Sequence, residues 1–181
     1  MENYNKNLKL LKKNHVYSTE MEHDACGVGV IASTEGKKSR QIVEYGIEAL
    51  KAVWHRGAVD ADGKTGDGAG IHVEIPKDFF IEKIEVTGHD YDNAEICVGM
   101  IFLPRNDYAA QESCKTIVES ELSKNNFSIY GWRQVPVNPK VLGDKALQTM
   151  PEIIQVLFKS NDTNLLDKKL ERKIYETRKR I

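Results

Sequence analysis

ICVGMIFLPRNDYAAQESCKTIVESELSKNNFSIYGWRQVPV (96–137) is the stretch whose pattern decides the fold class. Residues 96–103 are a strongly apolar run stopped by Pro104, which reads as a buried strand. The period then changes. Over Tyr108–Lys124 the apolar residues Cys114, Ile117, Val118 and Leu122 form one stripe, as on an amphipathic helix. Residues 127–137 read as extended chain, IIQVLF (153–158) as another buried strand, and 165–181 as a helix with Leu166, Leu170 and Ile174 at spacing four. Strands and helices mix without strict alternation. The expected class is therefore α+β in layers rather than a doubly wound sheet.

Toward the N-terminus the same reading gives further elements. CGVGVIAS (26–33) suits a buried strand, followed by a turn at Glu35–Gly36. Residues 40–55 are helical in pattern, with Ile42, Val43, Ile47, Leu50, Val53 and Trp54 on one face and Gly57 as the stop. Five glycines between 57 and 70 mark a loop. GIHVEI (70–75) alternates like a half-buried strand ended by Pro76, and 77–84 reads as a short helix. Residues 1–25 are polar without lasting periodicity and read as a tail. No internal repeat is visible.

Composition narrows the classes. With 181 residues, 40% hydrophobic and 29% charged, the chain can form one globular domain with a real core. The formal net charge of −1 gives no support to a nucleic-acid partner. The basic excess after residue 160 reads as one solvated helix face. Three cysteines, Cys26, Cys97 and Cys114, form neither a disulfide framework nor a zinc motif and fit a reducing, cytoplasmic setting. No apolar run is long enough for a membrane span, and the N-terminal Leu8, Leu10 and Leu11 are too short a patch for a secretory signal.

Two places carry chemistry. Cys26 stands where tail meets domain, with Gly27 and Gly29 leaving space for a substrate. A cut after Ala25 would put a free amine beside the thiol. That amine, with a pKa of about 7.7–8.0, could take up the thiol's proton and leave the attacking thiolate. The plainer alternative is a core cysteine. The loop WHRGAVDADGKTGDGAGI (54–71) follows the second helix. Gly63–Lys64–Thr65 resembles the end of a phosphate-binding loop, but Ala58 stands where the first glycine is needed. Asp60 and Asp62 resemble the start of a calcium loop, but Thr65 and Ile71 occupy the required Gly and Glu positions. There remain His55 and Arg56, which either neutralise a helix end or order a nucleophile site. Cys97 and Cys114 lie in apolar stripes and read as core.

Together Cys26–Gly27, a strand, a helix and His55–Arg56–Gly57 resemble the class II glutamine amidotransferases, a branch of the N-terminal-nucleophile hydrolases. ADGKTGDGAGI (61–71), 131–158 and LERKIYETRKRI (170–181) resemble the glutamate synthase branch. The resemblance implies a four-layer αββα fold, with residues 1–25 a pro-segment and 26–181 the N-terminal part of the domain, truncated on its C-terminal side. Cys26 would be the nucleophile toward L-glutamine, with Arg56, Gly27 and His55 supporting the substrate pocket and no metal. It implies no cofactor in this segment. FMN and an iron–sulfur cluster belong to a downstream synthase domain of the same polypeptide, with a reductase subunit or ferredoxin as electron partner. The alternatives are a non-catalytic fragment keeping the fold, or another class II amidotransferase. The family's oxyanion-hole Asn-Gly pair does not occur in this sequence, nor are its glutamine-gripping arginine and aspartate evident.

Overall fold

The computed structural model describes residues 2–14, 27–53 and 57–181, which fall into two compact units, residues 1–57 and 58–181. Three of the expected site residues, Cys26, His55 and Arg56, lie outside the described residues, as does Trp54.

In the smaller unit the polar N-terminal stretch holds a helix, α1 (Glu2–Asn14), where the sequence reads as a tail. Glu, Lys and Leu are all good helix formers, and no Gly or Pro interrupts residues 2–14. Lys12 and Lys13 sit in the last turn, where cations suit the helix dipole. Local propensity thus forms a helix without a lasting apolar stripe. The expected strand at 26–33 is absent over its described part. Residues 27–33 join no ladder among the described residues, and Val28 and Val30 are 90% and 85% exposed. An apolar run becomes a strand only when a neighbour takes up its backbone N–H and C=O groups. The turn does form: Gly36 N–H donates to Ser33 O at 3.2 Å, with Gly36 at φ +67°. Helix α2 (Arg40–Ala52) follows, capped by Ser39, whose hydroxyl accepts from Gln41 N–H at 3.1 Å. It ends at Ala52, short of the expected His55, and buries no residue completely.

The larger unit is built on an antiparallel sheet of three strands in the order β1 (Cys97–Leu103), β3 (Glu152–Ser160), β2 (Phe127–Gln134). Helices cover both faces. On one face α4 (Tyr108–Lys124) and α6 (Asp167–Arg178) pack Val118, Leu122 and Leu170 against Cys97, Phe127, Val156 and Phe158. On the other, α3 (Lys77–Val86) packs Phe80 and Ile84 against Ile96, Tyr130 and Leu157. The expected α+β class is thus met by mixed helices and antiparallel sheet. A short helix, α5 (Asp144–Thr149), precedes β3, and neither it nor the 3-10 turn at Pro139–Val141 was legible in the sequence. GIHVEI (70–75) forms no strand, for the same reason as residues 27–33: it joins no ladder among the described residues. The α4 stripe is rotated from expectation. Gln111, Val118 and Leu122 are its buried residues, while Ile117 is exposed. Buried Gln111 is satisfied by donating to Pro104 O and Arg105 O at 2.6 and 3.2 Å.

β2 carries one irregularity. Ile129 pairs with Phe158 and Gly131 with Leu157, so Tyr130 is the extra residue of a bulge. Gly131 at φ +153° presses on Thr87, and a Cβ there would sit 2.7 Å from Thr87 Cγ2. Thr87 cannot retreat easily, because its hydroxyl donates to Ile84 O (2.6 Å) or Tyr130 O (2.8 Å). Two losses of stability are expected by urea denaturation. Leu157→Ala, at a side chain with no exposure, should cost about 2–5 kcal/mol. Gly131→Ala should cost about 1–3 kcal/mol through overpacking.

Candidate functional site

Of the four expected site residues only Gly27 is described. It is exposed, and among the described residues a Cβ placed there or at Gly29 would meet nothing within 4 Å. Arg56 leads directly into Gly57 and Ala58, where the glycine-rich loop begins.

That loop is a small hairpin rather than a slack connection. Val59 bridges Gly66, and Asp60 N–H donates to Thr65 O at 2.6 Å. Ala58 is held from both sides: its N–H donates to Asp67 Oδ2 at 2.9 Å and its carbonyl accepts from Asp67 N–H at 3.1 Å. Gly63 takes φ +67° at the tip and donates to Asp60 O at 2.9 Å. Within the hairpin, Asp62 Oδ1 accepts from the N–H groups of Lys64 (2.9 Å) and Thr65 (2.7 Å) and Oδ2 from the Thr65 hydroxyl (2.5 Å). These donors, the hydroxyl foremost, hold the Asp62 carboxyl down at about 2. Asp60 Oδ2 pairs with Lys145 Nζ at 2.6 Å, and that partner lowers the Asp60 carboxyl below its usual range. The two aspartates that resemble a calcium loop are therefore committed to the protein itself. Among the described residues no group of three or more His, Cys, Asp or Glu is placed to hold a metal ion.

The sequence reading passed over the residues that meet this hairpin from 80 positions away. Gly143 lies so close that a Cβ would fall 2.2 Å from both Asp62 Oδ2 and Thr65 Oγ1. No local signal at 143–145 could have revealed a contact set by tertiary structure.

The remaining titratable groups of note are structural. Cys97 is a core thiol, as the sequence implies, pushed up to about 12 by burial and then by Glu95 and Glu171. Tyr130 donates to Asp92 Oδ1 at 2.5 Å, while Lys159 Nζ bonds the other oxygen. Burial, and then the Asp92 bond, raise the Tyr130 phenol above its usual range and keep it neutral. Lys159, then Tyr130, hold the Asp92 carboxyl at about 2.

Residues 26–181 match the family profile of the class-II glutamine amidotransferases. The chain belongs to that family. It is 52% identical over 175 residues to the glutamate synthase [NADPH] large chain of Azospirillum brasilense, covering 97% of this chain and 12% of that protein. It is 39% identical over 174 residues to the ferredoxin-dependent glutamate synthase of Pyropia yezoensis, covering 96% and 11%. With the glutamate synthase [NADH] of Saccharomyces cerevisiae it shares 39% over 152 residues, covering 81% and 7%. This amidotransferase chain thus spans about a tenth of the length of these relatives. Among the described residues no helix is long and apolar enough to cross a membrane.

The Asp92 pairing makes a pH dependence that can be measured. A carboxyl lowered from 3.8 to about 2 on folding adds stability that is complete above about pH 4 and lost as pH falls toward 2. Asp92 is about half exposed, so solvent screens part of the gain. Urea midpoints of wild type and Asp92→Asn should differ by a constant amount above pH 4 and converge between pH 4 and pH 2.

Proposed function

We propose that this chain supplies the glutamine-hydrolysing site of a glutamate synthase, with Cys26 as nucleophile. The observation that carries this reading is the family match, which opens at Cys26 and runs to residue 181. The exposure of Gly27, with no described neighbour against it, and the hairpin that begins at Ala58 are consistent with it.

The chemistry follows from one residue. While Ala25 is attached, the Cys26 nitrogen is an amide and accepts no proton. Once residues 1–25 are removed as a pro-segment, it is an amine with a pKa of about 7.7–8.0. The amine takes the thiol proton and the thiolate attacks the side-chain amide carbon of L-glutamine. The C–N bond then breaks, ammonia leaves carrying the transferred proton, and a glutamyl thioester remains. Water hydrolyses the thioester, giving glutamate and restoring the thiol. Arg56 orders the pocket, with His55 and Gly27 as supporting residues. The reaction needs no cofactor in this segment.

In the whole protein the ammonia would pass to a downstream synthase domain and aminate 2-oxoglutarate. FMN and an iron–sulfur cluster there would supply the reducing electrons, delivered by a reductase subunit or ferredoxin. We also propose that the four-layer αββα arrangement is completed by a second sheet. Phe102 is 64% exposed and Met100 51%, on the sheet face that α3 covers only in part. Residues 71, 73 and 75 add uncovered apolar side chains that a second sheet would bury. A cytoplasmic setting agrees with the free thiols of Cys97 and Cys114.

Cys26→Ala and Cys26→Ser in the full-length enzyme should abolish glutamine-dependent glutamate formation and leave the ammonia-dependent reaction intact. Glutamine use by either variant would overturn the nucleophile assignment. N-terminal sequencing of active enzyme should start at Cys26; a fully active enzyme starting at Met1 would exclude the amine as base. Arg56→Ala should lower the glutaminase rate far more than the melting temperature, and a purely thermal effect would return Arg56 to helix-end neutralisation, worth about 0.3–1 kcal/mol.

A further inference from the structure

We propose that a cleft between the first two turns of α4 and the end of the sheet is a binding site for an acidic α-amino acid, in which Arg105 and Lys115 take the two carboxylates and Glu152 takes the ammonium group. The site lies wholly within the larger unit, and the proposal stands whether or not Cys26 is the nucleophile.

Strand register and helix period together build the cleft. Leu103 of β1 pairs with Glu152 of β3, and Gln134 of β2 pairs with Ile154. Cross-strand partners, and residues two apart on one strand, share a face. These side chains therefore lie on the face that α4 covers, with Val156 and Trp132 further along it. There Val118 and Leu122 fill the space between helix and sheet. Toward residue 108 the space stays open as a cleft of about 380 Å³, within the ~300–1,000 Å³ usual for small-molecule sites. Leu103 and Ile154, both buried, form an apolar floor with Trp132. The Trp132 ring is held in place, since its Nε1 donates to Glu119 Oε1 at 2.7 Å.

The charges define the ligand. Arg133 borders the cleft, but its guanidinium donates to Gln155 at 2.7 Å and stands 5.1 Å from the centre of the Phe79 ring of α3, so its charge is spent on the other face. Two cations and one carboxylate remain. Arg105 is exposed, with no side-chain partner among the described residues. Lys115 pairs with Glu112 at 2.8 Å, and Glu112 is 72% exposed, so the pair is a weak one and leaves the ammonium free to take another acceptor. Glu152 Oε1 accepts from Gln134 at 2.6 Å, and Oε2 accepts from no described residue.

Gln111 adds to the acceptor side. Its side-chain nitrogen donates to Pro104 O at 2.6 Å and Arg105 O at 3.2 Å, which uses both hydrogens. What it has left for a ligand is Oε1, to which no described residue donates. Two cations facing a carboxylate and an acceptor oxygen are the complement of a molecule with two carboxylates and one ammonium. The apolar floor suits its methylene groups. A side-chain amide in place of the second carboxylate would leave one cation unanswered. A dicarboxylate without the amine would set Glu152 against a like charge.

The test is equilibrium dialysis of radiolabelled L-glutamate against the full-length enzyme, read as equivalents bound per chain and as Kd. Wild type should bind one equivalent that Arg105→Gln and Lys115→Gln each hold roughly tenfold to a hundredfold more weakly, the loss of one charge-assisted hydrogen bond. Melting temperature and glutamine-dependent rate of Arg105→Gln should match wild type. Unlabelled glutarate, N-acetyl-L-glutamate and L-glutamine should each displace this equivalent at least about tenfold less well than L-glutamate, and Glu152→Gln should narrow the gap for glutarate. If Glu152→Gln fails to fold, glutarate and N-acetyl-L-glutamate against wild type decide the ammonium contact. The absence of an equivalent sensitive to Arg105 and Lys115 would overturn the proposal. So would displacement by glutarate or L-glutamine as strong as by L-glutamate, or uptake of an acidic peptide in place of the free amino acid. Cys26→Ala should keep the equivalent; its loss there would place the binding at the glutaminase site and sink this inference alone.

Discussion

The larger unit depends on burying β3 on both faces at once. Residues 154–158 are five successive buried positions, and each alternate side chain must find a separate core. Val156 and Phe158 meet α4 and α6, while Leu157 meets α3. Either set of helices alone would leave half of β3 in water. Gln155 is the polar exception in that run, and its side-chain oxygen accepts from Arg133 at 2.7 Å, so the strand stays buried without an orphaned group. The bulge at Tyr130 belongs to the same constraint. By admitting one extra residue it turns Tyr130 toward α3 while Ile129 and Trp132 remain against the opposite core.

How much of this was legible depends on whether an element carries its own partner. Helix α4 matches its expected bounds of 108–124 because a helix satisfies its hydrogen bonds internally and its propensity is local. The β3 run was legible because being buried on both sides leaves an unbroken apolar signature, and β1 carries the same signature although Met100 and Phe102 are exposed. Residues 27–33 and 70–75 carry a similar signature without a ladder among the described residues. Composition reports that a segment would tolerate burial; it does not report what it pairs with. The miss at α1 is the converse, a helix formed on propensity where the apolar pattern is faint.

The site divides the same way. Cys26, Gly27, His55 and Arg56 could be singled out because their chemistry or their motif is written at one place in the chain. The Asp62 carboxylate, the third position of the calcium-loop pattern, accepts three hydrogen bonds from its own loop. Gly143 had no such signature. Only its distance to Asp62 and Thr65 gives this glycine, between Leu142 and Asp144, a meaning.

The strand order has a consequence for how the chain is made. Among the described residues β1 and β2 do not pair with each other; both pair with β3, the last of the three strands in sequence. At a ribosomal pace of about 5–20 residues per second, β1 waits roughly 3–11 s after its own emergence before Ser160 follows. By the end of that interval two strands, β1 with its Met100 and Phe102 and then β2, are exposed in a nascent chain with no ladder to join. The sheet therefore closes in a single late event, and the cell must keep that interval short or shield it.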